Sequence, residues 1–155
     1  MNDKTLIIRS ASMERLDACA AALGGIDGRI DILTHAHFAQ SIRDNYPSAT
    51  VVAYPFDGNF SPVKMKRLAR KGALARRYAR VIVLAGNISG AGHLNVLRGA
   101  MGFGPVEIFN VNNEFLEKNP AGVAGEYLAP FALVLGLAGG VVGWALGRRT
   151  TRSTP

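Results

Sequence analysis

The chain has 155 residues, of which 48% are hydrophobic and 19% are charged, and its formal net charge is +7. This length accommodates one domain of ordinary size with an appendage, but it is short for two independent domains. The single cysteine, Cys19, excludes an intrachain disulfide framework and a Cys-based zinc cluster, so packing must hold the fold together. Cys19 lies in an apolar helical run, which favours a buried structural residue over a nucleophile.

The first part of the chain alternates between short apolar runs and helical patterns. The patterns predict strands at residues 6–8, 29–34 and 50–54, with helices at 13–23 and about 38–45 between them. Gly24 and Gly25 end the first helix, and Pro47 ends the second before the third strand begins.

The same alternation continues through the middle of the chain. A basic helix is predicted at about 62–78, a strand at 80–85, a turn at 86–92, a helix at 93–101 and a strand at 106–111. Residues 81–84 form a continuous apolar run, which is typical of a strand covered on both faces. Five strands separated by four helical patterns predict an α/β fold, a five-stranded parallel, doubly wound Rossmann-like sheet over residues 1–118.

An uncharged segment follows near the C-terminus. The polar stretch 112–125 is typical of a connection, and we place the linker at 119–126. Residues 127–147 lack charge and, as a helix, would span about 30 Å, so we predict one transmembrane helix followed by a basic tail at 148–155. Tyr127 and Trp144 near its ends fit interfacial positions, although a buried helix of a soluble protein is the alternative.

Small residues in this segment bear on assembly. Small-xxx-small spacing, which lets membrane helices approach closely, predicts helix packing and a homodimer or a membrane partner through Gly136, Gly139, Gly140 and Gly143. Arginines after the segment favour a cytoplasmic tail, whereas the absence of a signal-like N-terminus favours a cytoplasmic N-terminal domain. We expect a single-pass protein with its N-terminal domain in the cytoplasm; a re-entrant or surface-lying helix would reconcile the two signals.

In a parallel sheet, ligands bind beyond the carboxyl ends of the strands. Arg9 and Ser10 follow the first predicted strand, and a glycine-rich turn at 86–92 follows the fourth. Backbone amides in such a turn can hold an anion, so we predict a ligand site at Ser10, Asn87, Ser89, Gly90 and Gly92. The spacing matches neither the dinucleotide nor the P-loop fingerprint, so a plain tight turn remains the alternative and no cofactor is predicted.

Histidines and carboxylates near the same edge provide only weak catalytic candidates. His35, His37 and His93 could converge on a metal, but surface or capping roles are the default and we predict no metal site. Asp57 precedes Gly58, which favours a turn role. Catalysis would require Glu14, Asp57 and His93 to meet within hydrogen-bond reach.

Much of the positive charge is local, because no acidic residue occurs from position 58 through 106. We expect anionic lipid headgroups to attract the basic helix through Lys64, Lys66, Arg67, Arg70 and Lys71. A solvated helix face is the alternative. Nucleic acid is disfavoured because aromatic residues for base stacking are largely missing.

Four segments carry a family resemblance: LIIR at 6–9, RIDILT at 29–34, YPSATVV at 46–52 and YARVIVL at 78–84. Over about residues 4–118 the chain resembles the N-terminal half of GT-B glycosyltransferases, notably heptosyltransferase-like proteins. The resemblance implies a Rossmann-like domain that mainly binds the acceptor, while a second domain, which we do not expect in this chain, binds the nucleotide sugar. The family's Gly-Asp pair after strand one is replaced by Ser12-Met13-Glu14, so Glu14 is its nearest substitute.

These patterns together predict a membrane-anchored GT-B-like half domain. It would act as an accessory or acceptor-binding subunit in envelope or lipid-linked sugar metabolism, beside a protein partner that supplies the nucleotide-sugar domain. An autonomous enzyme is not expected. The alternative is a non-enzymatic, membrane-tethered scaffold that self-associates through its glycine-rich helix.

Overall fold

A computed structural model describes residues 3–90 and 92–119 of the chain. The strands are β1 (Thr5–Ile8), β2 (Ile30–His35), β3 (Thr50–Tyr54), β4 (Arg80–Leu84), β5 (Val106–Phe109) and β6 (Phe115–Lys118). The α-helices are α1 (Met13–Ala22), α2 (Ala39–Asn45), α3 (Pro62–Arg70) and α4 (Leu94–Ala100), and a 3-10 turn at Ala36–Phe38 precedes α2.

The strands form one sheet in the order β3-β2-β1-β4-β5-β6. β1 to β5 pair in parallel, and β1 lies between β2 and β4, with Ile7 opposite both Ile32 and Ile82. The predicted mixed α/β fold with a mostly parallel, Rossmann-like sheet is therefore confirmed. The order reverses at β1, so the point where doubly wound sheets bind ligands lies beyond the carboxyl ends of β1 and β4.

A sixth strand corrects the prediction of a five-stranded, wholly parallel sheet. β6 lies antiparallel to β5, with Phe115 opposite Phe109, within the polar stretch 112–125 that the sequence pattern predicts to be a connection. The chain reverses through Asn113, which has a φ of 61°, a conformation that Asn tolerates better than most residues. The Phe115 ring then packs 4.8 Å from the Phe109 ring, so one aromatic contact stabilises a strand whose other residues are mostly polar.

Two helical layers cover the sheet. The buried cluster on one face joins Leu16 and Cys19 of α1 with Ile42 of α2 and strand residues such as Ile7. Right-handed crossovers from β3 to β4 and from β4 to β5 place α3 and α4 on the opposite face. Those two helices touch closely, because a Cβ at Gly99 would lie 2.7 Å from Met65 Sδ.

The basic helix α3 is shorter than its sequence pattern predicts. It ends at Arg70, with Lys71 as its C-cap, rather than near Tyr78. Gly72 takes a φ of +77°, and its N–H donates to the Ala69 carbonyl, which closes the helix in the left-handed manner typical of glycine. The segment that follows buries Leu74 and Tyr78 without helical structure.

Most of the predicted linker, the transmembrane helix with its glycine pairs and the basic tail lie outside the described residues. Within residues 3–90 and 92–119, no helix is long and apolar enough to cross a membrane.

Candidate functional site

A crevice of about 350 Å³ opens beyond the carboxyl ends of β1 and β4. Its walls come from the residues after β1, from the 3-10 turn after β2, from the loop after β3 and from the start of α4. The described residues that line it include Arg9, Ser10, His35, Phe38, Phe60 and His93, and none of them is Asp or Glu. This position is the ligand-binding point of doubly wound sheets.

Arg9 is the chemically unusual residue of the crevice. Its residue exposure is only 5%, and its Nε atom is buried without a hydrogen-bond partner. The guanidinium carbon lies 3.8 Å from the centroid of the Phe38 ring, and this cation–π contact is its one interaction with a described side chain. Burial lowers the pKa of Arg9, but a guanidinium remains protonated in proteins.

A buried positive charge without a counterion is unfavourable, because buried charges are normally paired or hydrogen-bonded. No carboxylate of a described residue forms an ion pair with Arg9; the ion pairs in residues 3–90 and 92–119 involve other cations. Arginine presents a planar fork of N–H donors that matches carboxylate and phosphate oxygens. The crevice therefore has the electrostatics and donor geometry of an anion site.

Aromatic rings form one wall of the crevice. The His35 ring centroid lies 4.5 Å from that of Phe60 and 5.5 Å from that of Tyr54. His35 Nε2 lies 2.9 Å from the Gly58 carbonyl oxygen, so Nε2 carries the proton and donates it. Tyr54 accepts a hydrogen bond from the Ser61 N–H, which fixes the loop after β3. The crevice combines these rings with polar residues such as Asn59 and Asn95, and small-molecule sites combine aromatic surface with placed polar groups in this way.

Ser10 joins the two strands at the switch point. Its hydroxyl donates a 2.6 Å hydrogen bond to the Leu84 carbonyl, so it holds the end of β1 against the end of β4. The hydroxyl oxygen keeps acceptor capacity, whereas its proton is engaged. Ser10 was predicted as a ligand residue, and the structure places it in the lining beside Arg9.

The other predicted ligand residues divide between the crevice and the turn itself. Gly92 lines the crevice, and Ser89 is exposed on the turn. Asn87 Oδ1 accepts the Gly90 N–H at 2.6 Å, so one of the amides expected to hold an anion is already bonded within the turn. Gly90 is buried against Ile108, where a Cβ would lie 2.2 Å from Ile108 Cδ1.

The three catalytic candidates do not form one group. Glu14 is exposed in the first turn of α1 and Asp57 is exposed in the loop after β3. Neither carboxylate makes a hydrogen bond or ion pair with a described residue, whereas His93, the N-cap of α4, lines the crevice. Among the described residues, no group of three or more His, Cys, Asp or Glu side chains is placed to hold a metal ion.

Asn110, which follows β5, is a structural residue. It is fully buried after β5, and its Oδ1 accepts the N–H groups of Asn112 and Glu114 at 2.9 and 3.1 Å. Its Nδ2 donates to the Ile88 carbonyl at 3.3 Å, which ties the glycine-rich turn to the β5–β6 connection. An Asn that immediately precedes a turn was the available signal.

The predicted membrane-surface residues lie on α3 and its C-cap. Lys66, Arg67, Arg70 and Lys71 are exposed, while Met65 and Leu68 are buried and anchor the helix. Lys64 is half-buried, with its Nζ 5.3 Å from the Phe56 ring centroid and 3.4 Å from the Asp57 carbonyl oxygen. The basic stripe is therefore presented to solvent rather than neutralised by the domain.

Comparisons with protein-family models, curated proteins and solved structures find no significant match to this chain. The GT-B resemblance therefore stays a prediction, and the crevice is the feature of the molecule that bears on function.

Proposed function

We propose that this chain is a membrane-anchored, GT-B-like half domain that binds an anionic acceptor in the crevice at the end of β1. It would act as an accessory or acceptor-binding subunit in envelope or lipid-linked sugar metabolism, with the described domain in the cytoplasm. A protein partner would supply a nucleotide-sugar domain. The single observation that supports binding is Arg9, a 5% exposed residue in the crevice wall whose guanidinium has a buried Nε without a hydrogen-bond partner and no ion pair with a described residue.

The chemistry of the crevice favours an acceptor-binding role over autonomous catalysis. Arg9 supplies positive charge and a fork of donors, and the aromatic wall supplies apolar surface for the uncharged part of a ligand. A general base would need a carboxylate or imidazole near the reacting group. Glu14 and Asp57 are exposed and lie outside the lining, so the histidines are the only titratable bases among its described residues.

Calorimetric titration of the full chain in neutral detergent tests this proposal. The probes are inorganic pyrophosphate, glucose 1-phosphate and UDP-glucose. We expect saturable binding of pyrophosphate and glucose 1-phosphate to the wild type, and loss of that binding in Arg9→Met. The control Arg67→Met removes an exposed arginine from α3 and should retain binding. Equal binding by wild type and Arg9→Met would refute the proposal, and tight binding of UDP-glucose alone would indicate a donor site instead.

The second candidate function is a non-enzymatic, membrane-tethered scaffold. The sequence observation that favours it is the spacing of Gly136, Gly139, Gly140 and Gly143, which suits close packing of two membrane helices. Cross-linking of the full chain in bilayers tests it. Loss of dimers in Gly139→Leu/Gly143→Leu, together with absence of anion binding by the wild type, would favour the scaffold over the acceptor-binding subunit.

A further inference from the structure

A second cavity, of about 540 Å³, lies between α3 and α4, on the face of the sheet opposite α1 and α2. We call it the basic groove. Its rim carries Lys66 and Arg70 of α3, Arg76 from the segment after α3 and Arg98 of α4, and its floor includes Ala69 and Phe103. It is distinct from the crevice, with which it shares no lining residue.

Two glycines at the C-terminal end of α4 let this helix approach α3 closely beside the cavity. Gly99 and Gly102 line it without a side chain, while Phe103 is nearly buried beneath it. A Cβ at Gly99 would meet Pro62 Cα at 3.3 Å, so the helices approach too closely there for a larger residue. The result is an apolar floor between two helices with basic side chains around it.

The charge around the groove has one sign. The described lining contains four basic residues and no Asp or Glu. Lys66, Arg70 and Arg76 make no hydrogen bond or ion pair with a described residue. Lys66 and Arg70 are four residues apart on α3, and like charges at this spacing repel each other. An anionic ligand would relieve this repulsion.

We propose that the basic groove binds an anionic phospholipid, with the headgroup phosphate at the basic rim and the adjoining apolar atoms over Ala69 and Phe103. A soluble anion would use the rim but leave the apolar floor exposed, whereas a lipid uses both. The choice of a lipid also rests on the proposed membrane tether, because residues 127–147 carry no charge and would hold the domain near a bilayer.

The test uses the full chain in neutral detergent at physiological ionic strength, titrated calorimetrically with short-chain phosphatidylglycerol. Short-chain phosphatidylcholine and inorganic phosphate serve as comparison probes. Lys66→Gln/Arg70→Gln removes two charges from the rim. Arg67→Gln/Lys71→Gln is a matched control, since it also removes one lysine and one arginine four residues apart, at exposed positions of α3 and its C-cap that lie outside the lining.

We expect saturable binding of phosphatidylglycerol by the wild type, and binding weaker by about tenfold or more in the rim variant. The control should stay within about twofold, because Arg67 and Lys71 lie outside the lining and salt weakens the attraction between exposed charges that do not touch. Circular dichroism verifies that both variants fold.

Equal losses of phosphatidylglycerol affinity in the two variants would overturn the proposal and indicate a diffuse attraction of the lipid to the basic surface. Phosphate binding as tight as phosphatidylglycerol would indicate a free-anion site, and equal phosphatidylcholine binding would indicate a merely apolar contact; either result overturns the proposal. Short-chain lipid reaches the groove without a tether, and Arg9→Met leaves the groove intact. Retained lipid binding in Arg9→Met therefore separates this proposal from the acceptor-binding one.

Discussion

Arg9→Met is expected to make the free protein more stable, although it removes a favourable contact. The substitution eliminates a buried charge whose Nε lacks a hydrogen-bond partner, and leaving such a donor unsatisfied costs about 1–3 kcal/mol or more. It also loses the cation–π contact with Phe38, worth about 0.5–2 kcal/mol. Met retains an unbranched apolar chain to fill the space, so we expect a net gain of about 1 kcal/mol.

The assay is thermal and urea denaturation of the full chain in neutral detergent, with and without pyrophosphate. A gain of 1 kcal/mol corresponds to a rise in Tm of roughly 3–6 °C for a domain of this size. Pyrophosphate at 100 times its Kd should stabilise the wild type by about 2.7 kcal/mol and should leave Arg9→Met unchanged. The order of stability of the two proteins should therefore reverse when the anion is added.

The opposite pattern would refute the reasoning. If Arg9→Met is less stable than the wild type without ligand, and pyrophosphate stabilises both proteins equally, the guanidinium serves the fold through Phe38 and binds no anion. Arg67→Met, an exposed substitution on α3, should change the free energy of unfolding by no more than about 0.5 kcal/mol.

Three further measurements test the packing. Gly90→Ala should lower the free energy of unfolding by about 2–4 kcal/mol in urea titrations, because Gly90 has a φ of +77° and the new Cβ would collide with Ile108. The control Gly86→Ala should be nearly neutral, because the space around its Cβ is open. Burial raises the pKa of Cys19 to about 12, so a thiol reagent at pH 8 should modify it only as fast as the domain unfolds; rapid native-state modification would contradict its place in the core. Burial also raises the pKa of Tyr78, so the stability that its neutral form contributes should be complete below about pH 10, the pKa in the unfolded chain. Above that pH this stability should be lost at up to about 1.4 kcal/mol per pH unit. Tyr78→Phe should reduce the slope of unfolding free energy against pH, measured by denaturant titrations from about pH 9 to 11.

The parallel strands and the helices between them were predictable because the local sequence pattern agrees with the burial that each element has in the fold. The apolar run 81–84 becomes β4, which is buried on both faces, and residues 50–54 become β3 with the predicted bounds. Gly24 follows α1 with a φ of +77°, as the pattern indicated. In each case a single local feature, apolar continuity or a glycine, suffices to determine the structure.

The remaining features depend on contacts that no local pattern reports. β6 is recognisable only after Phe115 meets Phe109 across the β5–β6 pair. Arg9 was noted as a residue that follows the first strand, but its burial depends on Phe38, which is 29 positions away in sequence and reaches it from the turn after β2. Arginine is among the residue types that are rarely fully buried, so nothing in the sequence indicated that Arg9 is buried against Phe38.

The free protein retains unfavourable electrostatics at two independent places. At Arg9 the penalty arises from burial, so added salt relieves it little, because buried charges are screened far less than exposed ones. At the basic groove the penalty arises from repulsion between exposed side chains such as Lys66 and Arg70, which salt does screen. Unfavourable interactions that the packing of a protein does not require are commonly retained because function needs them. An anion bound at Arg9 should therefore resist moderate salt, whereas a lipid bound at the groove should be released by it.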